Sequence, residues 1–347
     1  MQPYNGGNDP QRGGVYSTGH GFYNPYAEPE WKREKKRIRA AGNGIGLASV
    51  GYVAISFGAV LFLYAAIGVV NALRGGNFME VGENAQWVVT LITYILSLIV
   101  PFGIYALCIQ MPIGAAFPFR KMRGDITVGG IFVGLGAGIV ASYATSYLEQ
   151  ALGLFGIGIS MPELEIPTAL SAKIIYIITM TVAPAFIEEM VFRGIVMQSL
   201  RRFGDMFALV SSALIFGIFH LNLIQTPYAF ILGLCIGYFV MRTGSLWVGV
   251  IMHFLNNSIA TVLTLAEPYC SEEMFLFINL AYSLAAVMCG IIALCLLLVK
   301  YRDMFRFGDA PGVLSSGKRA AYFLTSPALI IAMLTAVVLT AQYIEIL

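Results

Sequence analysis

The chain has 347 residues, of which 58% are hydrophobic and only 12% are charged, and its formal net charge is +2. This composition excludes an ordinary soluble domain, and the small net charge argues against nucleic acid as a partner. Uncharged stretches long enough to cross about 30 Å of hydrocarbon recur along the chain, and backbone in that environment must be helical. We therefore predict an all-α fold, a polytopic helical membrane protein with about eight to nine transmembrane helices and an intramembrane polar site.

The N-terminal part of the chain differs from the rest in composition. We expect residues 1–39 to form a cytoplasmic tail, which is polar and rich in Gly and Tyr and then basic, and residues 40–347 to form the helical membrane domain. The start of the chain lacks the short apolar core of a secretory signal peptide. Six Lys and Arg residues between positions 32 and 39 directly precede the first apolar stretch, as is typical of a cytoplasmic anchor.

Nine apolar segments follow, at residues 45–72, 87–109, 126–148, 172–199, 206–222, 225–241, 246–265, 273–299 and 320–344. The loops between them alternate between basic loops and neutral or acidic loops, and Lys and Arg mark the cytoplasmic side. One topology fits every loop, with the N-terminus inside and the C-terminus outside. We expect an integral protein of the cell (plasma) membrane, in contact with the lipid bilayer. Because the link at residues 222–227 is short, the sequence leaves open whether residues 206–241 cross the membrane as two full helices.

An ionisable cluster interrupts the fourth apolar segment. Glu188, Glu189 and Arg193 lie in its middle, and charged side chains at bilayer depth are costly enough to indicate a function by default. Glu189 and Arg193 are four residues apart, so they share one helix face. An ion pair between them would lower the cost of burying either charge.

Three further polar side chains lie in other apolar segments. His220 belongs to the fifth segment, while His253 and Asn257 share one face of the seventh. Counted from the charged flank of each segment, Glu188, His220 and His253 lie about 16 to 23 Å deep at 1.5 Å per residue. Three helices could therefore bring these side chains into one buried polar site near the membrane midplane.

These polar residues form three motifs in a fixed order: Glu188-Glu189-x-x-x-Arg193, Phe216-x-x-x-His220 and His253-x-x-x-Asn257. This pattern resembles that of the CPBP intramembrane proteases, a family that includes the CAAX prenyl proteases and the bacteriocin-processing or immunity proteins also called Abi. The resemblance covers roughly residues 120–270. It implies an endopeptidase that hydrolyses a peptide bond in a membrane-embedded or lipid-anchored substrate.

The resemblance also implies roles for the first two motifs. Glu188 would be the general base that activates a water molecule for attack on the peptide carbonyl, with His220 assisting. Glu189 and Arg193 would form a pair that orients Glu188. A carboxylate beside imidazoles can supply both an activated water and a stabilised oxyanion, which amide hydrolysis requires.

The third motif leaves the mechanism open. His253 and Asn257 would either hold a metal ion or stabilise the oxyanion. A catalytic zinc ion normally takes three protein ligands and a water molecule, so Glu188, His220 and His253 would be the ligands of one divalent metal such as zinc, with Asn257 as a less typical substitute for Glu188. The alternative is a mechanism in which the glutamate acts directly.

Two other classes of function remain open at this point. A non-proteolytic immunity or scaffold protein would keep the fold and use the polar pocket to hold a partner, but it has no need of all six polar residues. A proton-coupled carrier would use Glu188 and the histidines as a relay, and the absence of an inverted repeat in the sequence argues against it.

Overall fold

Long apolar helices dominate the part of the chain that the computed structural model describes, residues 28–77, 81–160, 165–308 and 312–347. The main helices are α1 (Glu30–Leu73), α2 (Glu83–Cys108), α3 (Gly124–Gly153), α4 (Leu170–Phe203), α5 (Asp205–Ile218), α6 (Gln225–Thr243), α7 (Leu246–Ala266), α8 (Glu272–Lys300), α9 (Ser316–Leu324) and α10 (Pro327–Ala341). A single helical turn at Ile113–Ala116 and a 3-10 turn at Glu267–Tyr269 complete them. Within these ranges seven helices can cross a membrane by length and composition, or eight if α9 and α10 count as one bent span. The predicted all-α polytopic fold is confirmed.

Most of the predicted tail lies outside the described residues, because the description begins at residue 28. Helix α1 begins at Glu30 and therefore includes the basic run that was expected to belong to the tail. The loop glutamates at positions 80 and 163, which contributed to the predicted charge alternation, also lie outside the described residues.

The fifth predicted segment is shorter than a full crossing. Helix α5 has 14 residues, which at 1.5 Å per residue is about 21 Å against roughly 30 Å of hydrocarbon. It ends at Ile218, so His220 lies in the turn after the helix and not inside it as expected. The turn continues through Leu221, which has a positive φ of 50°. The Asn222 side chain then accepts hydrogen bonds from the backbone N–H groups of the residues that open α6.

The last predicted segment is broken rather than straight. Helices α9 and α10 meet at an angle of 68°. Pro327 begins α10, and a proline at this position cannot continue the preceding helix because it lacks the N–H group. The bend brings the start of α10 against α1, where the Ala328 N–H donates to Asn43 Oδ1 at 3.1 Å.

Loops that the charge pattern predicts to share a side contact one another. The short strands β1 (Ile157–Ile159) and β2 (Ile344–Ile346) pair antiparallel, joining the loop after α3 to the C-terminus. At the other end of the helices, Arg319 binds Glu34 at 2.7 Å. This grouping agrees with the predicted topology, whereas the identity of the cytoplasmic face stays a prediction.

Small residues let α3 approach the helices that carry the polar site. A Cβ atom built on Gly130 would lie 2.7 Å from the Phe239 ring in α6, and one on Gly134 would lie 2.5 Å from Met252 in α7. The buried core is centred on α4 to α7, and apolar side chains of α8 such as Leu284 and Ile291 are exposed toward the surroundings. The helices with the polar residues are therefore enclosed by the others.

Candidate active site

Helix α4 carries two turns of π-helix, at Ile178–Val182 and Glu189–Val196. Such turns are rare and occur frequently at functional sites. Pro184 lies between them and has no N–H group to donate to the carbonyl of Met180, four residues earlier. The Asn257 amide of α7 donates to that carbonyl at 3.3 Å. The Asn257 side chain therefore links α7 to the irregular part of α4 through this hydrogen bond, rather than contacting the two glutamates.

A buried network joins the second glutamate to α7. Glu189 Oε1 accepts a hydrogen bond from Arg193 Nη1 at 2.7 Å and lies 2.9 Å from His253 Nδ1. Glu189 is 0% exposed and Arg193 1%. The Arg193 guanidinium also lies over the Phe216 ring, 4.2 Å from its centroid, which places a cation on the ring face. Glu189, which was expected to orient Glu188 together with Arg193, thus contacts His253.

The histidine tautomer follows from this contact. An ionised carboxylate only accepts hydrogen bonds, so Nδ1 of His253 must carry the hydrogen that binds Glu189. The other ring nitrogen, Nε2, faces Glu188 Oε2 at 3.6 Å. Glu189 therefore fixes the orientation of an imidazole whose free nitrogen points at the first glutamate.

Glu188 has one fixed oxygen and one that is available. The Tyr94 hydroxyl of α2 donates to Glu188 Oε1 at 2.6 Å. Glu188 Oε2 is buried and has no hydrogen-bond partner among the described residues. This arrangement holds the carboxylate in one orientation and leaves its second oxygen without a partner among the described residues.

A cavity of about 210 Å³ lies beside this carboxylate and is lined by Tyr52, Tyr94, Glu188 and His220 together with apolar residues. His220 Nδ1 is 3.0 Å from the backbone carbonyl of Phe216, so Nδ1 donates to it and Nε2 is left as an acceptor. Glu188 and His220 thus face one cavity. The structure places Glu188, Glu189, Arg193 and His253 in contact with one another. His220 lines the same cavity as Glu188, and Asn257 binds the carbonyl of Met180.

Sequence reasoning missed Tyr94 and Tyr52. Tyr94 lies in a helix far from the three motifs, and a tyrosine in an apolar helix gives no signal of its own. It also left out Asn256, whose Oδ1 accepts from Tyr228 at 3.0 Å and whose amide donates to Asn257. Pro184 could have indicated the role of Asn257, because a proline leaves the carbonyl of Met180 without its usual helical donor.

The residues do not fit a three-ligand metal centre. Among the described residues no group of three His, Cys, Asp or Glu side chains lies close enough together to hold a metal ion. Glu188 Oε2 and His253 Nε2 face each other, but His220 is not grouped with them, although it lines the same cavity as Glu188. A catalytic zinc site as a rule requires three protein ligands, and this arrangement does not supply them.

We expect Tyr94→Phe to lower the rate of the reaction at this site by about ten- to a hundredfold without unfolding the protein. The substitution removes a hydrogen bond to a charged group, worth about 1.5 to 3 kcal/mol, and keeps the ring packing. The measurement is kcat of the reconstituted variant. Tyr147→Phe on the exposed face of α3 is the matched control, and an equal loss in both variants would contradict a specific role for Tyr94.

We expect Gly249→Ala to destabilise the protein by about 1 to 3 kcal/mol, the usual cost of overpacking. A Cβ atom at Gly249 would lie 2.6 Å from Glu189 Oε2 and 2.8 Å from Val240 Cγ2. The measurement is thermal unfolding of the purified protein in detergent. Gly103→Ala, where no atom lies within 4 Å, should leave stability unchanged or raise it. Equal melting temperatures for both variants would show that the glutamate has room to move.

A comparison with protein families gives a match over residues 170–259 to the family described as type II CAAX prenyl endopeptidase Rce1-like. The matched range covers α4 to α7 up to residue 259 and includes all three polar motifs. Comparisons with curated proteins and with solved structures gave no match. At the level of the family, the match supports a CAAX-type intramembrane protease. Residues 170–259 of this chain therefore match the Rce1-like family, in agreement with the resemblance of the three motifs to the CPBP proteases.

Proposed function

We propose that the protein is an intramembrane endopeptidase that hydrolyses a peptide bond of a membrane-embedded or lipid-anchored substrate with a water molecule activated by Glu188. The observation that carries this proposal is the divided environment of that carboxylate. Tyr94 fixes Oε1, while Oε2 faces His253 beside a cavity shared with His220. A general base needs this combination of fixed geometry and an available oxygen.

In the proposed reaction, the water molecule donates one hydrogen bond to Glu188 and the other to Nε2 of His220. Its lone pair then points away from both groups toward the peptide carbonyl. Glu188 takes the proton as the water oxygen attacks, and the proton passes to the amide nitrogen as the C–N bond breaks. The two glutamates thus have different tasks, because only Glu188 reaches the cavity.

The network behind Glu188 supports the proton transfer. His253 Nε2 lies beside Glu188 Oε2, so it can share the proton that Glu188 takes up. The positive charge that then develops on the imidazole is stabilised by Glu189, which accepts from Nδ1. A histidine held by a buried carboxylate acts in the same way in hydrolytic triads. Arg193 balances the charge of Glu189 while the imidazole is neutral.

The cavities around Tyr52 suggest where a substrate approaches. A small apolar cavity between α1, α5 and α10 shares Tyr52 and Phe219 with the glutamate cavity. A further cavity of about 150 Å³ shares Tyr52 and extends to Gln342 and Tyr343 near the C-terminus. We place the substrate path here, between α1 and α10, with Tyr52 separating it from the reacting groups.

The test is cleavage of a synthetic peptide by the full-length protein in liposomes, with mass spectrometry of the products. Peptides with a CAAX terminus are compared with and without the prenyl group, for wild type and Glu188→Gln. Cleavage by wild type alone supports the proposal, and its dependence on the prenyl group tells whether the lipid is required. Proton uptake by the liposomes without cleavage of any peptide would favour a carrier instead.

A further inference from the structure

A second polar cavity lies far from the glutamates, where the N-terminal end of α3 meets the C-terminal ends of α6 and α8. Its volume is about 370 Å³, within the range of ligand pockets, and Arg123, Arg242, Lys300 and Arg302 line it together with a single acid, Asp303. These residues lie in or directly beside the basic loops that are predicted to be cytoplasmic. The lining therefore carries four positive charges and one negative charge.

Only part of this positive charge is balanced. Lys300 pairs with Asp125 at 2.6 Å. Arg123, Arg242 and Arg302 make no ion pair with a carboxylate within the described ranges. Two of them are held in place by neutral groups: Arg123 donates to the Tyr301 hydroxyl at 3.0 Å, and Arg242 donates to the backbone carbonyl of Asp303. The cavity is thus lined by oriented guanidinium groups with donors left for an anion.

An apolar groove continues from this cavity along the outside of the helices. The groove lies between α3 and α8, has a volume of about 430 Å³, and is lined by apolar side chains that include Val128, Phe132, Ile292 and Leu296. These four side chains are exposed, as expected for a surface that faces lipid. Lys300 lines both the groove and the cavity, and its partner Asp125 also lines the groove. The two therefore form one continuous surface that is basic at one end and apolar beyond this ion pair.

We propose that this surface binds an anionic glycerophospholipid, with its phosphate in the cavity of Arg123, Arg242 and Arg302 and an acyl chain in the groove. Basic pockets between transmembrane helices on the cytoplasmic side are suited to anionic headgroups, and arginine binds phosphate oxygens through two parallel N–H bonds. The apolar groove favours a lipid over free phosphate, because a lipid has an acyl chain that can occupy the groove and free phosphate has no apolar part. The proposed lipid site shares no residue with the glutamate cavity, so it does not depend on the proposed protease activity.

The experiment is native mass spectrometry of the full-length protein with phosphatidylglycerol or phosphatidylcholine. We expect a preference for phosphatidylglycerol, and we expect the double variant Arg123→Gln with Arg302→Gln to lower its apparent affinity by about tenfold or more. The matched control is Arg120→Gln with Lys121→Gln, which removes the same charge from exposed positions of the same loop region outside the cavity. Thermal unfolding confirms that both double variants are folded.

Cys289→Trp tests the groove by a change that leaves every charge in place, because Cys289 lines the groove at an exposed position. We expect it to weaken phosphatidylglycerol binding. Equal losses of phosphatidylglycerol affinity in the cavity variant and in the control variant would overturn the proposal in favour of diffuse charge attraction. Competition by inorganic phosphate, together with unchanged binding in Cys289→Trp, would overturn it in favour of a free-phosphate site. No preference for phosphatidylglycerol in wild type would also overturn it.

Discussion

Glu188→Gln should lower kcat for peptide hydrolysis by about 10² to 10⁴, the range that general acid–base catalysis contributes, while the protein remains folded. The amide keeps the size of the carboxylate and still accepts a hydrogen bond from Tyr94, whose hydroxyl lies 2.6 Å from Oε1 in wild type. What the variant loses is the ability to take a proton from water. The measurement is kcat on a peptide that wild type cleaves, at equal amounts of folded protein in the membrane.

The matched control is Glu149→Gln, which removes a carboxylate from the exposed end of α3. It should retain the activity of wild type. Substantial hydrolysis by Glu188→Gln would mean that another group activates the water, and the assignment of the base would then be wrong. A loss in both variants would indicate a general effect of charge and not a catalytic role.

Arg193→Leu should destabilise the protein by about 3 to 5 kcal/mol, because it leaves the carboxylate of Glu189 buried without its ion-pair partner. The two side chains are 2.7 Å apart and are 1% and 0% exposed, so water cannot replace the lost contact. The measurement is thermal or denaturant unfolding in detergent. Arg201→Gln is the control, since its ion pair with Asp205 is partly exposed and should contribute at most about 1 kcal/mol.

The double variant Glu189→Gln with Arg193→Leu separates stability from function. Removing both charges should restore much of the stability, because a buried ion pair can be replaced by neutral groups at little cost. Activity should stay low, because a neutral amide in place of the Glu189 carboxylate could no longer stabilise a positive charge on His253. Full recovery of activity in the double variant would contradict the role that we propose for Glu189.

The sequence alone was sufficient to predict the class of fold and the similarity of residues 170–259 to the Rce1-like family. The spacing of polar residues in apolar segments identified α4 and α7, and the contact between Glu189 and Arg193 follows from their separation of four residues. Residues 170–259, which match the family, are the part where the motifs occur. Local spacing carries this information because each motif lies within one helix or at its end.

Contacts between distant segments could not be predicted in the same way. The hydrogen bond from Tyr94 to Glu188 joins residues 94 positions apart and depends on how α2 packs against α4. The early end of α5 was missed because hydropathy continues through the turn that contains His220, and an apolar turn is tolerated where it lines a cavity inside the protein. Hydropathy reports the environment of a segment and not the point at which its helix ends.

Proteolysis that depends on Glu188 is tested by a proteome-wide comparison of new protein termini in cells that produce wild type or Glu188→Gln at equal membrane levels. We expect termini that appear only with wild type, in proteins that are embedded in or anchored to the membrane. Such termini would also identify the substrates. Identical sets of termini for the two forms, with both folded and present in equal amounts, would contradict the claim that Glu188 serves a protease.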